Sequence, residues 1–403
     1  MIAAMKYNFD EIIDRHDTFS MKWDCRELHV MLGITPRFDE DTIPIHTADM
    51  DFRCCEPIQR ALRKVTDHNI YGYTGAFPFG TGMKYYDAIC GWFKRRMDWD
   101  ISPDQITYIN GTMEAIRSCI EVFSEPGDGV LITRPVYTPF TGTILKTGRQ
   151  VVNSPLINND GWYEIDFEDF ERKAALESTK IFLLCNPHNP TGRIWSDEDL
   201  IRLADICRKN HVVIVADEIH GDLIRRESVF HPIAKVAGPE GIITCTALNK
   251  TFNIAGLQAT NMVFQDKSLH EEYMKKANHI TPNPFTAAAT VAAYNEGEEW
   301  LEQLIDYLDG NIDFVINWFK EHMPKVKIHR PEGTYILWMD FRDYGLTAEE
   351  IRERIYVRAN VMLESGNQFD PERGDGFERM CVPTRRSLLK KALERIEAQF
   401  PEK

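Results

Sequence analysis

The chain has 403 residues, a formal charge of -15, 43% apolar residues and 11% aromatics. That length predicts about two or three domains, and the apolar share predicts a well-buried interior of the kind enzymes have. The acidic balance argues against non-specific nucleic-acid binding, and no apolar run reaches the roughly eighteen residues of a membrane span.

Met1-Ile2-Ala3-Ala4-Met5 lacks the apolar core of a secretion signal. The nine cysteines are odd in number, and Cys119, Cys185 and Cys245 sit inside apolar segments. Free thiols in a reducing cytoplasm are therefore expected. No Cys-x-x-Cys or His-x-x-x-His spacing points to a metal. Residues 1–50 read as a loop-rich arm carrying Asp14-Arg15, Thr18, Lys22-Trp23-Asp24 and then Ala48-Asp49-Met50-Asp51-Phe52. An amphipathic helix is predicted over 56–65, followed by the glycine-punctuated, aromatic loop Tyr71-Gly72-Tyr73-Thr74-Gly75. A second helix is predicted over 85–96, with Ile89, Trp92 and Phe93 on its core face.

An alternation then begins. Ile106–Ile109, Val130–Thr133, Ile181–Cys185, Val212–Ala216 and Ile242–Thr246 are short apolar, β-rich runs separated by helical periods. One such helix opens after Ser196, with three acids in its first turn. Continuous apolar strands alternating with helices predict an α/β fold with a mostly parallel sheet buried on both faces. Ligands of such sheets bind outside the carboxyl ends of the strands. The last third changes character: a long helix over 298–322, with Gly310 as a possible bend, then a strand over 334–339 and a final helix over 387–400. The predicted division is an arm and part of a small domain (1–50), a large domain (51–295) and a smaller α+β domain (296–403).

Each strand end carries a distinct chemistry. Gly111-Thr112-Met113 opens a helix, where free N–H groups and a hydroxyl suit a phosphate. Tyr137 offers a ring face for stacking. Asn189, held between two prolines, offers an amide. Asp217 ends a wholly apolar strand, where a carboxylate is costly unless it meets a cation. Lys250 supplies an amine; alone it would read as an ordinary surface lysine. Together these meet the needs of pyridoxal 5′-phosphate (PLP): phosphate donors, a stacking face, a hydrogen bond to the phenolic oxygen, an anion for the ring nitrogen and a lysine for the aldehyde.

On these residues, and on Asn186-Pro187-His188-Asn189-Pro190-Thr191-Gly192, Lys250 through Leu257, Glu332-Gly333-Thr334-Tyr335 and Gly376 through Arg386, the chain resembles fold-type I PLP-dependent enzymes of the class I/II aminotransferase superfamily. More narrowly it resembles their MalY/PatB-like cystathionine β-lyase (C–S lyase) branch, almost end to end. The resemblance implies that Lys250 binds the aldehyde and shuttles protons, and that Asp217 pairs with the ring nitrogen. It implies that Asn189 bonds the phenolic oxygen, Tyr137 stacks, and Gly111, Thr112 and Met113 hold the phosphate. Tyr73 would reach the phosphate of a neighbouring subunit in a homodimer. Arg379, with Asp49 nearby, would bind the substrate, Arg379 clamping its α-carboxylate; Arg386 is next in line for that role, and a shifted alignment would exchange the roles of Arg385 and Arg386. His220 stands where aminotransferases usually carry tyrosine. Departures are Ala247 for a serine (with Thr246 or Asn249 as substitutes), Gln258 for a cation, His46 for tryptophan and Cys381 for asparagine. The expected reaction is β-elimination from S-substituted L-cysteines to pyruvate, ammonia and a thiol. Transamination is the alternative, and a non-catalytic regulatory relative a third.

Overall fold

The computed structural model describes residues 6–31, 33, 35–278 and 280–401. The leader reading at Met1–Met5 lies outside the described residues. Strands in chain order are β1 (Ile43–Pro44), β2 (Ile106–Asn110), β3 (Gly129–Ile132), β4 (Gln150–Asn153), β5 (Ile157–Asn159), β6 (Trp162–Glu164), β7 (Thr179–Cys185), β8 (Val213–Asp217), β9 (Ile242–Ala247) and β10 (Ala259–Val263). They continue with β11 (Lys327–Ile328), β12 (Ile336–Asp340), β13 (Val361–Met362), β14 (Glu364–Ser365) and β15 (Phe377–Cys381).

Seven strands form one sheet in the order β2-β10-β9-β8-β7-β3-β4. All pairings are parallel except those of β10, which runs antiparallel to both β2 and β9. The expected strands are present within a residue or two. Their apolar side chains are buried on both faces, as helices pack on each side. β10 carries no apolar run, and sequence periodicity misses it. Part of its polarity is met inside the fold: Tyr85 donates to Asn261 Oδ1 at 2.8 Å, and Thr246 donates to the Asn261 carbonyl at 3.1 Å, while Asn261 Nδ2 is buried with no hydrogen-bond partner among the described residues.

The expected helices form, with limits set by local chemistry. Ser196 caps Asp197–Lys209 through a reciprocal box with Asp199. The helix Glu56–His68 ends at Asn69 in the left-handed conformation. Glu298–His322 runs as one helix through Gly310. The glycine serves close packing: a Cβ would lie 2.6 Å from the Arg386 guanidinium.

A second sheet, β11-β12-β15-β14, is antiparallel throughout. β1, near the start of the chain, pairs in parallel with β13. The N-terminal arm is thus tied to the C-terminal sheet, and it passes the carboxyl ends of the large sheet on its way.

Candidate active site

Lys250 sits in a single helical turn, Leu248–Thr251, directly after β9. Its Nζ donates to the carbonyl of Ala48 at 2.8 Å, and the Tyr335 hydroxyl donates to the same oxygen at 3.0 Å. Burial lowers the Lys250 pKa; Cys381 pulls it back up, and Arg379 pushes it further down. A larger share of the amine is therefore neutral, the form a nucleophile or base needs.

The segment presenting Ala48 is held from two sides. Asn253, three residues after Lys250, donates to the carbonyls of Met50 and Phe52 at 3.0 and 2.8 Å and accepts from Met50 N–H at 3.1 Å. From the arm, Arg15 pairs with Asp49 at 2.9 Å and Asp51 at 3.0 Å, and fully buried Lys22 pairs with Asp51 at 2.8 Å. Trp23 donates its indole N–H to Asp51 at 2.9 Å. Each buried charge here meets an opposite one, the condition for tolerating it. Asp49 is near enough to raise the Lys250 and Tyr335 pKa values electrostatically.

Asp217 closes β8, with Cys185 of β7 and Cys245 of β9 as its register partners. Burial pushes its carboxyl up to about 7; the Ile219 N–H and Lys250 pull it back. His220 is buried edge-on to Tyr335, ring centroids 5.8 Å apart, and burial with nearby Lys250 and Arg379 pushes it down to about 3. It is a neutral imidazole whose Nδ1 is buried without a partner. Tyr137 is half-buried against Phe140, and its pKa responds to both Arg379 and Asp217.

Arg379 lies on β15, cross-strand from Trp338 of β12 and Glu364 of β14. It donates to Asn189 Oδ1 at 3.0 Å and to the His46 carbonyl at 3.1 Å, forms an ion pair with Glu364, and lies over the Phe369 ring. The bond to Arg379 turns the Asn189 amide so that its NH2 is left to donate elsewhere. Cys381, two residues on and hence on the same strand face, donates its thiol to the His46 carbonyl at 3.0 Å. Arg386 is elsewhere, bonded to Asn311 at 3.1 Å on the long helix. Of the two arginines, Arg379 is the one that lies in the cluster.

Gly111 takes φ +94°, and Thr112 begins the helix Thr112–Phe123. Thr112 Oγ1 lies 3.1 Å from Thr260 Oγ1, and Thr260 is the register partner of Ala247. The helix start therefore faces the strand end that leads to Lys250. The expected substitutes for Ala247 are engaged in the fold: Thr246 with Asn261, and Asn249 with the Ala259 N–H at 3.1 Å. Gln258 takes a left-handed φ of 51°. Tyr73 is fully exposed and takes no part in this chain's own cluster.

These residues fit PLP. The fit rests on Asp217: a carboxyl raised to about 7 has no ion-pair partner among the described residues and suits a protonated ring nitrogen. The backbone donors at Gly111–Met113, the Asn189 NH2 and the Lys250 amine would supply the remaining contacts. Sequence reasoning missed the Ala48 carbonyl, Asn253 and Glu364 as parts of the cluster. A carbonyl leaves no trace in residue type, and the other two depend on strand and loop register.

The profile of the family described as "Aminotransferase class I and II" matches residues 50–396. Cystathionine beta-lyase PatB of Bacillus subtilis is 38% identical, covering 97% of this chain and 99% of its own length. A PLP-bound putative aminotransferase from Clostridium difficile superposes with a TM-score of 0.90 at 38% identity, covering 98% of this chain and all of its own. A PLP-bound C-S lyase from Staphylococcus hominis superposes with a TM-score of 0.90 at 34% identity, covering 99% of each chain.

Proposed function

The chain belongs to the class I and II aminotransferase family, and from that premise we propose that it is a PLP-dependent C–S lyase. It cleaves S-substituted L-cysteines such as cystathionine to pyruvate, ammonia and a thiol. The cluster of Lys250, Asp217, Asn189 and Arg379 supports PLP chemistry, and the observation that carries the choice of elimination is full-length similarity to PatB and to a C-S lyase structure.

Bound PLP supplies an aldehyde that condenses with amines and a protonated ring that withdraws electrons from the substrate Cα. Asp217 holds the proton on the ring nitrogen, Asn189 donates to the phenolic oxygen, and Tyr137 covers one ring face. Gly111, Thr112 and Met113 bind the phosphate with N–H groups and a hydroxyl. Arg379 binds the α-carboxylate, for which guanidinium geometry is suited. Lys250 would take the Cα proton at Nζ. The Ala48 carbonyl and Tyr335 hydroxyl fix where that nitrogen rests. The electron pair left at Cα expels the β-sulfur, and Lys250 returns a proton to it. Water then completes release of pyruvate and ammonia.

A homodimer with shared sites is part of the proposal. Ile70, Tyr71, Tyr73 and Phe79 lie exposed along one loop, an apolar surface that a second copy would cover and from which Tyr73 would reach the partner's phosphate. The domain division 1–50, 51–295 and 296–403 and a cytoplasmic location are proposed likewise. The β1–β13 pairing supports the first and nine unbridged cysteines support the second. Described helices include none long and apolar enough to cross a membrane.

The test is Lys250→Ala. The variant should lose both the visible absorbance band of the holoenzyme and all turnover; normal turnover by it would overturn the reading.

A further inference from the structure

Arg379 already has an anion. Glu364 stands directly opposite it in the β14–β15 register, and the two form an ion pair. Opposite charges at directly facing positions attract across a strand pair, and a buried guanidinium left without an anion is strongly unfavourable. The Arg379 side chain is 3% exposed and that of Glu364 is 21% exposed, because β14 is the edge strand of its sheet. Nη1 of Arg379 is taken by Asn189, and Nη2 by the His46 carbonyl and Glu364. Nε is buried with no partner. A carboxylate that binds side-on to a guanidinium uses Nε and Nη2 together. The fork that still has a free donor is thus the one where Glu364 sits.

We propose that Glu364 is a resident competitor for the substrate's α-carboxylate, and that it sets how tightly Arg379 holds that carboxylate. This rests on the reading of Arg379 as the carboxylate site. Binding exchanges one carboxylate for another at Nη2, and Glu364 turns outward from the sheet edge toward water. The exchange keeps the buried guanidinium paired throughout. A primary amine without a carboxylate has nothing to displace Glu364 with and gains no contact at Arg379. Glu364 therefore weakens the hold of the site on every amino-acid carboxylate, since each gains only the difference between two ion pairs at Arg379, and it leaves simple amines unaffected.

The experiment uses holoenzyme titrated with L-alanine, which has the amine and carboxylate but no β-leaving group. Binding is read from the change in the visible absorbance of the cofactor. Glu364→Gln and Glu364→Ala should both bind L-alanine severalfold more tightly than the unmodified protein. Acetate should inhibit both variants more strongly, and their KM for an S-substituted cysteine should fall. A residue that merely positions Arg379 would give the opposite sign. Unchanged or weaker alanine binding by both variants, with the absorbance band intact, overturns the proposal. An unmodified protein lacking the band after incubation with PLP would overturn the parent reading and this one with it.

Discussion

Asp217 shows at residue scale how physical cost marks function. A carboxyl raised to about 7 by burial is held at a disadvantage that the Ile219 N–H and Lys250 relieve only in part, and a pyridinium would relieve it further. Each pK unit by which it raises the ring nitrogen's own pKa is about 1.4 kcal/mol of preference for the electron-withdrawing form. Asp217→Asn keeps the shape and removes the charge. Its turnover should fall by ~10²-fold or more, the scale of a lost proton-transfer partner, and a spectroscopic titration should find the ring nitrogen deprotonated at neutral pH. An unchanged rate would remove Asp217 from the mechanism. This residue was legible in the sequence because a charge ending an apolar strand is anomalous on sight. Glu364 was not: its significance is its register opposite Arg379, and strand register is invisible until the sheet is assembled.

At the scale of elements, the turn after β8 is tied down by another unusual carboxyl. Glu218 accepts from the Ile233 N–H at 2.8 Å, and burial pushes it from its usual 4.5 up to about 8. A carboxyl whose folded pKa is raised stays protonated in the folded chain while the unfolded chain ionises. Its contribution is present in full below about 4.5 and is lost as pH rises toward about 8. Glu218→Gln should therefore flatten the fall in stability across that window, measured by denaturant midpoints at several pH values. A slope identical to the unmodified protein's would show that Glu218 is ionised in the fold. The parallel strands β3, β7, β8 and β9 were readable because their apolar runs are unbroken, whereas β4, a partly exposed edge strand, was not. β10 escaped because its polar Thr260 and Asn261 leave no apolar run to read.

Over the whole molecule, the site draws on distant parts of the chain. Ala48 comes from the N-terminal arm, Lys250 and Asp217 from the seven-stranded sheet, and Arg379 from the C-terminal sheet. The motifs of the arm were readable as a resemblance, but their work as a clamp on the Ala48–Phe52 segment emerges only when Arg15, Lys22 and Asn253 meet there. Tyr73 points the same reasoning beyond one chain. Sedimentation should find a dimer, and Tyr73→Phe should weaken PLP retention without dissociating it; a monomer with full activity would contradict the shared site. The central claim, however, concerns the reaction. Transamination uses the same lysine, aspartate and arginine, so the cluster is compatible with either outcome and the products decide. Purified holoenzyme given L-cystathionine with no keto acid should release pyruvate and a thiol in equal amounts. No pyruvate, with amino transfer appearing only when a keto acid is added, would contradict the account and make the protein an aminotransferase.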